Sequence, residues 1–168
     1  MEWLAEQPDT MFIGQAVEYP GTAMYNTLKD INPNKRLELP VFEDTQMGMS
    51  IGLSLTGNRV ISIFPRWNFL LCATNQLVNH LDKFPTITNN LVTPNIIIRT
   101  SVGSQRPLFP GHQHIGNMSD AFRTILTKVD IIELKEAKQI LPAYQKAYHR
   151  KDGMSTILVE FGDYYNEK

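Results

Sequence analysis

The chain has 168 residues, 42% hydrophobic and 20% charged, with a formal net charge of −1 at pH 7, and is expected to fold as a single domain spanning 1–168. With no Lys/Arg cluster it carries no footprint for nucleic acid or an anionic membrane surface, and no apolar run approaches the ~20 residues that cross a bilayer. Cys72 is the only cysteine, which excludes an internal disulfide and suits a reducing cytoplasm, and "MEWLAEQPDT" lacks the basic-then-apolar pattern of a leader.

"TMFIG" at 10–14 predicts a strand, "GTAMYNTLKDI" at 21–31 a short helix, and "KRLELP" a brief extended piece ended by Pro40. Residues 44–55 predict a helix with Glu43 at its mouth. "RVISIF" at 59–64 is a near-continuous apolar strand, the kind buried on both faces of a parallel sheet. Residues 67–84 predict one long helix, with Phe69, Leu70, Ala73, Leu77, Leu81 and Phe84 at helical spacing. "NIIIRT" at 95–100 is another buried strand. A loop at 101–118 follows, holding Pro107, Pro110, three glycines, His112 and His114. Ser119 is placed to cap the helix "SDAFRTILTK". "VDIIEL" at 129–134 is a strand, "KEAKQILPAYQKAYHR" is helical with Pro142 opening a second segment, and "STILVEF" is the last strand. The alternation defines an α/β fold with a mostly parallel sheet and helices on both faces. Such sheets bind ligands at the carboxyl ends of their strands. That points to the turn before Asp44, the turn after Phe64, and the loop after Thr100.

No Walker loop or Gly-x-Gly-x-x-Gly turn is present. Gly48 and Gly52 share one helix face, and each costs roughly 0.5–1 kcal/mol against alanine. They are expected to let a backbone or a flat ring come close. Tight packing accounts for Gly52 and Gly57 but not for Glu43, which is either a favourable charge at a helix N-terminus or a half-buried carboxyl that holds and hands over a proton. His80 and His149 fall on polar helix faces and read as surface groups. His112 and His114 form a His-x-His pair with no third ligand in pattern, so a metal site is weakly supported; an orienting or catalytic role and a plain loop position both stay open. Cys72, inside "FLLCATNQL", reads as a buried structural thiol. Phe64 reads as core, while an aromatic just past a strand can also stack on a heterocycle.

Taken in order, "LPVFEDTQMGMSIGLSLTG", "FPRWNF", "NQLVN", "IIIR", "GHQHIGN" and "ILVEF" resemble the pyrimidine-binding domain of thiamine-diphosphate enzymes, nearest in pattern to the beta-subunit of pyruvate and branched-chain 2-oxo acid dehydrogenases and more distantly to the central domain of transketolase. The resemblance implies a three-layer thiamine-diphosphate-binding fold. It implies that Glu43 hydrogen-bonds the aminopyrimidine and shifts it to the imino tautomer that removes the thiazolium proton. It further implies that Phe69 stacks on the pyrimidine, that Val41 is the apolar residue beside it, and that His114 faces the thiazolium; Gly48, Gly52 and Gly57 would be the small positions of the helix behind the ring. The family's Gly-Asp-Gly…Asn motif for diphosphate and Mg²⁺ is absent, as is its further C-terminal domain, and the helix before the first strand is cut to "MEWLAEQ". The resemblance therefore implies half a cofactor site, completed by a separate alpha-like chain that binds diphosphate and Mg²⁺ in a hetero-oligomer acting on a 2-oxo acid or ketose. A non-catalytic binding or regulatory relative with the same fold is the rival reading.

Overall fold

The computed structural model describes residues 1–166. Six strands, β1 (Thr10–Gly14), β2 (Arg36–Glu38), β3 (Arg59–Ile63), β4 (Ile96–Val102), β5 (Val129–Glu133) and β6 (Ser155–Phe161), form one sheet in the order β2-β1-β3-β4-β6-β5. Every pairing is parallel, so all carboxyl ends emerge on one rim. The helices are α1 (Glu2–Ala5), α2 (Ala23–Asn26), α3 (Glu43–Leu55), α4 (Trp67–Leu71), α5 (Phe84–Ile87), α6 (Ser119–Ile125) and α7 (Ala137–Tyr148).

Side chains alternate across a strand, so the isoleucine run of β4 feeds both faces. Ile96 and Ile98 join Met47, Ile51, Leu70, Leu77 and Phe122 in one core. Ile97 joins Leu4, Phe12, Met24, Tyr144 and Leu158 in the other. Helices thus cover both faces, and the sheet is the middle of three layers, the α/β fold expected from the strand–helix alternation.

Several local expectations are corrected. The predicted helix at 67–84 is broken into α4, a π-helical turn at Gln76–Leu81, and α5. Thr74 Oγ1 donates to the Leu71 carbonyl at 2.6 Å, a side-chain bond that competes with helix continuation. The amide of Asp82 then reaches back to Leu77 O, which turns Asp82 inward. The helix at 21–31 shrinks to α2 because Thr27 Oγ1 donates to the Met24 carbonyl at 2.7 Å. Pro142 does not open a second segment; it sits inside one continuous α7, on its exposed side. Ser119 is the first residue of α6 rather than its cap. The capping acceptor is Asn117 Oδ1, which takes the Ser119 amide at 3.0 Å. Cys72 is exposed, because Leu70 and Ala73 take the buried positions of that turn.

Candidate functional site

The amino end of α3 stands over the carboxyl ends of β1 and β3. Gln46, one turn into α3, fixes that docking: its Nε2 donates to Ile63 O at 2.9 Å and to Ser62 Oγ at 3.2 Å. Ser50 Oγ lies 2.8 Å from Gln46 O and 2.9 Å from Ser62 Oγ. Gly14 makes the close approach possible. It has φ +134°, and a Cβ there would overlap Ile63 O and fall 2.6 Å from Gln46 Nε2.

The expectation that another backbone segment of this chain packs closely on Gly48 and Gly52 is therefore corrected. Gly52 has nothing within 4 Å of where a Cβ would stand, and Gly48 meets only the Gln76 side chain, at 3.8 Å. Gly57 closes the helix with φ +95° and no close neighbour. The packing glycine of this region is Gly14, which α3 reaches only through tertiary contact.

Glu43 is the first residue of α3 and is 6% exposed. Among the described residues its carboxylate has no hydrogen-bond or ion-pair partner. The side chain is largely covered, while its carboxylate oxygens keep contact with the open rim. Val41, 71% exposed, stands out from the surface just before it, as does Phe42.

Phe69 and His114 come together. Phe69 lies in α4, directly after the carboxyl end of β3, and His114 ends a single 3₁₀ turn at His112–His114. Their ring centroids are 5.6 Å apart at 43°. His114 Nδ1 is 3.1 Å from Asn68 Oδ1. An amide oxygen only accepts, so Nδ1 carries the proton in this pair and Nε2 is left without one in the neutral ring. Both rings are half-buried. His112 is exposed and packs its edge on Phe109 at 5.2 Å, away from this pair. His80 and His149 are exposed, as the sequence suggested. Phe64 is fully buried core.

Three polar groups here are not anticipated from the sequence. Asn68 orients His114. Gln46 shares the Glu43 side of α3, one turn on, and its Oε1 is buried without a partner. Gln15 follows β1; its amide donates to Ile63 O at 3.3 Å, and its Nε2 is buried and unpartnered. The spacing from Glu43 to Gln46 is the one hint a sequence could carry.

No protein-family model matches the chain. Curated relatives are beta subunits of the pyruvate dehydrogenase E1 component. The one from Gracilaria tenuistipitata var. liui is 28% identical over 128 residues, covering 74% of this chain and 39% of the relative. The one from Porphyra purpurea is 30% identical over 117 residues, covering 67% of this chain and 34% of the relative. The chain thus spans well under half the length of these relatives. Among solved structures, a split gene transketolase in an inactive beta4 tetramer superposes with TM-score 0.73 at 17% identity over 96% of this chain and 48% of that one. A thiamin diphosphate-dependent enzyme isolated from Mycobacterium smegmatis gives 0.69 at 14% identity over 98% and 30%. The resemblance to the pyrimidine-binding domain of thiamine-diphosphate enzymes is borne out, in sequence by the beta subunits and in fold by the solved structures.

Proposed function

We propose that the chain, as a single domain over 1–168, is the pyrimidine-binding subunit of a split thiamine-diphosphate enzyme of the cytoplasm, acting on a 2-oxo acid or a ketose. The observation that carries this is Glu43, a largely covered glutamate whose carboxylate has no protein partner among the described residues and opens onto the rim at the mouth of a helix. The residues fit the cofactor: Glu43 would meet a ring nitrogen, and Phe69 would offer its face to a pyrimidine, with Val41 beside it as an exposed apolar contact. Thiamine diphosphate, when bound, supplies the carbon nucleophile and electron sink that such substrates need. Glu43 would exchange a proton with that ring nitrogen at its carboxyl. Asn68 keeps the His114 ring turned so that Nε2 is free to take or give a proton near the reacting atoms.

Diphosphate and Mg²⁺ belong, on this reading, to an alpha-like partner chain in a hetero-oligomer. The likeness to beta subunits of the pyruvate dehydrogenase E1 component and to a split gene transketolase supports that division. No helix among the described residues is long and apolar enough to cross a membrane.

The test is exchange of the cofactor's thiazolium proton into deuterated water in the reconstituted complex. Glu43→Gln keeps the shape and loses the transferable proton. Exchange should slow by about 10²–10⁴, the scale of a lost acid–base group. Wild-type exchange in Glu43→Gln would leave Glu43 a helix-terminal charge and favour the non-catalytic relative.

A further inference from the structure

A second feature of the same rim lies outside the Glu43, Phe69 and His114 group. The loops after β1, β3, β4 and β6 surround a cavity of about 480 Å³, within the usual size of a small-molecule site. Among the described residues its only charged lining residues are Arg66 and Arg106. In a chain of net charge −1 that is a marked local excess of positive charge. We propose that this cavity binds the oxyanion group, phosphate or carboxylate, of a small hydroxylated molecule.

Arg66 is half-buried, and its Nε donates to Gly103 O at 3.1 Å. That bond fixes the plane of the guanidinium. Its two terminal amino groups have no protein partner among the described residues. Arg106, on the facing loop, forms no ion pair among them either. The nearby acid, Asp163, is committed to the loop backbone: its Oδ1 accepts the amides of Gln105 and Arg106 at 2.8 and 3.1 Å. It pins the loop that presents Arg106 and offsets part of the local positive charge, leaving two guanidiniums against one carboxylate.

The opposite wall is also fixed. Glu38, at the end of β2, accepts the amides of Ala16, Val17 and Glu18 at 3.0, 2.6 and 2.8 Å, so the loop after β1 is held in place. Two guanidiniums on anchored loops offer the planar, paired donors that match an oxyanion. A cleft lined by one sign of charge concentrates ligands of the other. Thr22, Asn26 and Ser104 add neutral polar groups, which suit a hydroxylated body attached to the anion. That this molecule is the enzyme's substrate rests on the thiamine reading; the anion site itself does not.

The experiment is a titration of the ¹⁵N-labelled full chain, without thiamine diphosphate, followed by amide shifts. The probes are inorganic phosphate, ribose 5-phosphate and pyruvate, against sodium chloride at matched ionic strength. Shifts confined to Thr22, Gly103 and Ser104 are expected. Tighter binding of ribose 5-phosphate than pyruvate makes the ligand a phosphate ester; the reverse makes it a carboxylate. Arg66→Gln should weaken binding about tenfold, as loss of a charge-assisted bond implies, with Arg66→Lys between. Arg106→Gln, changed at an exposed position without disturbing the core, should weaken it by roughly threefold or more. Responses no larger than those to chloride, or unchanged in both glutamine variants, would overturn the proposal. Because no cofactor is present, this outcome is independent of the Glu43 exchange experiment.

Discussion

The Nδ1–H of His114 meets Asn68 Oδ1 at 3.1 Å, which ties the loop after β4 to the start of α4. The bond sets which ring nitrogen is free, so the two residues have separable roles. His114→Ala should lower turnover of the reconstituted enzyme by about 10²–10⁴ while cofactor affinity stays near normal. Asn68→Ala leaves the ring in place but unoriented, and kcat should fall about tenfold, the scale seen when an orienting partner is lost, with KM little changed. His112→Ala should do much less than either. Equal losses from His112→Ala and His114→Ala in steady-state assays would mean collapse of the loop instead.

Phe69 packs at 43° on the His114 ring and is half-buried, so one face remains for a ligand. Its replacement by alanine removes one stacking contact. Cofactor affinity in the reconstituted complex should drop by on the order of tenfold. Calorimetry that returned wild-type affinity would assign Phe69 to packing alone. The same instrument tests the isolated chain, which should bind thiamine diphosphate and Mg²⁺ poorly; micromolar binding would sink the split-site reading.

Gly14 and Gly52 make opposite predictions. At Gly14 a methyl group meets the Ile63 carbonyl and the Gln46 amide, with φ at +134°. Gly14→Ala should cost about 3 kcal/mol or more, since a strained backbone alone costs ~1–3 kcal/mol. Gly52 is helical and faces open space, so Gly52→Ala should stabilise the isolated chain by roughly 0.5–1 kcal/mol. Urea unfolding of the two variants checks both signs. A destabilised Gly52→Ala would restore the sequence-based view of that glycine.

These two glycines show what was legible. The strands could be read because short apolar runs bounded by turns recur along the chain; those of β3, β4 and β6 are buried on both faces, while β1 and β5 carry shorter versions of the same signal. Glu43, Phe69 and His114 are singled out only through the resemblance to thiamine-diphosphate enzymes carried by "LPVFEDT", "FPRWNF" and "GHQHIGN". What could not be read depends on long-range contact. Whether a glycine is needed turns on the neighbour it faces, and Gly14 meets Gln46 from 32 positions away, the difference of their numbers. Cys72 looked buried because its neighbours are apolar, but Leu70 and Ala73 took the inward positions. The breaks at 72–83 follow from Thr74 and Asp82, whose polar side chains act against an apolar period that is otherwise helical. Arg66 and Arg106 lie 40 residues apart by number and gain meaning only from the cavity they share.

Asp82 illustrates the cost of one such long-range tie. It is fully buried, at the end of the π-helical turn, and clamps the connection between α6 and β5. Its Oδ1 accepts the amides of Thr127 and Lys128, each at 2.6 Å, and its Oδ2 takes Thr127 Oγ1 at 3.0 Å and Lys83 Nζ at 2.7 Å. Burial alone would push this carboxyl up; the hydrogen bonds from Lys83, Lys128 and Thr127 outweigh it and hold the group below its ordinary value. A depressed carboxyl contributes stability that is fully present above the unfolded value of about 3.9 and lost as pH falls through the folded value. Asp82→Asn can still accept both amides at Oδ1 but loses the charge that draws Lys83. It should cost about 1.5–3 kcal/mol at neutral pH, the worth of a hydrogen bond to a charged group. The gap between wild type and Asp82→Asn should then close as pH drops below about 4, because protonated Asp82 resembles the amide. Urea unfolding of both proteins between neutral and acid pH reads that gap directly. A constant difference across the range would show that Asp82 acts by shape and not by charge.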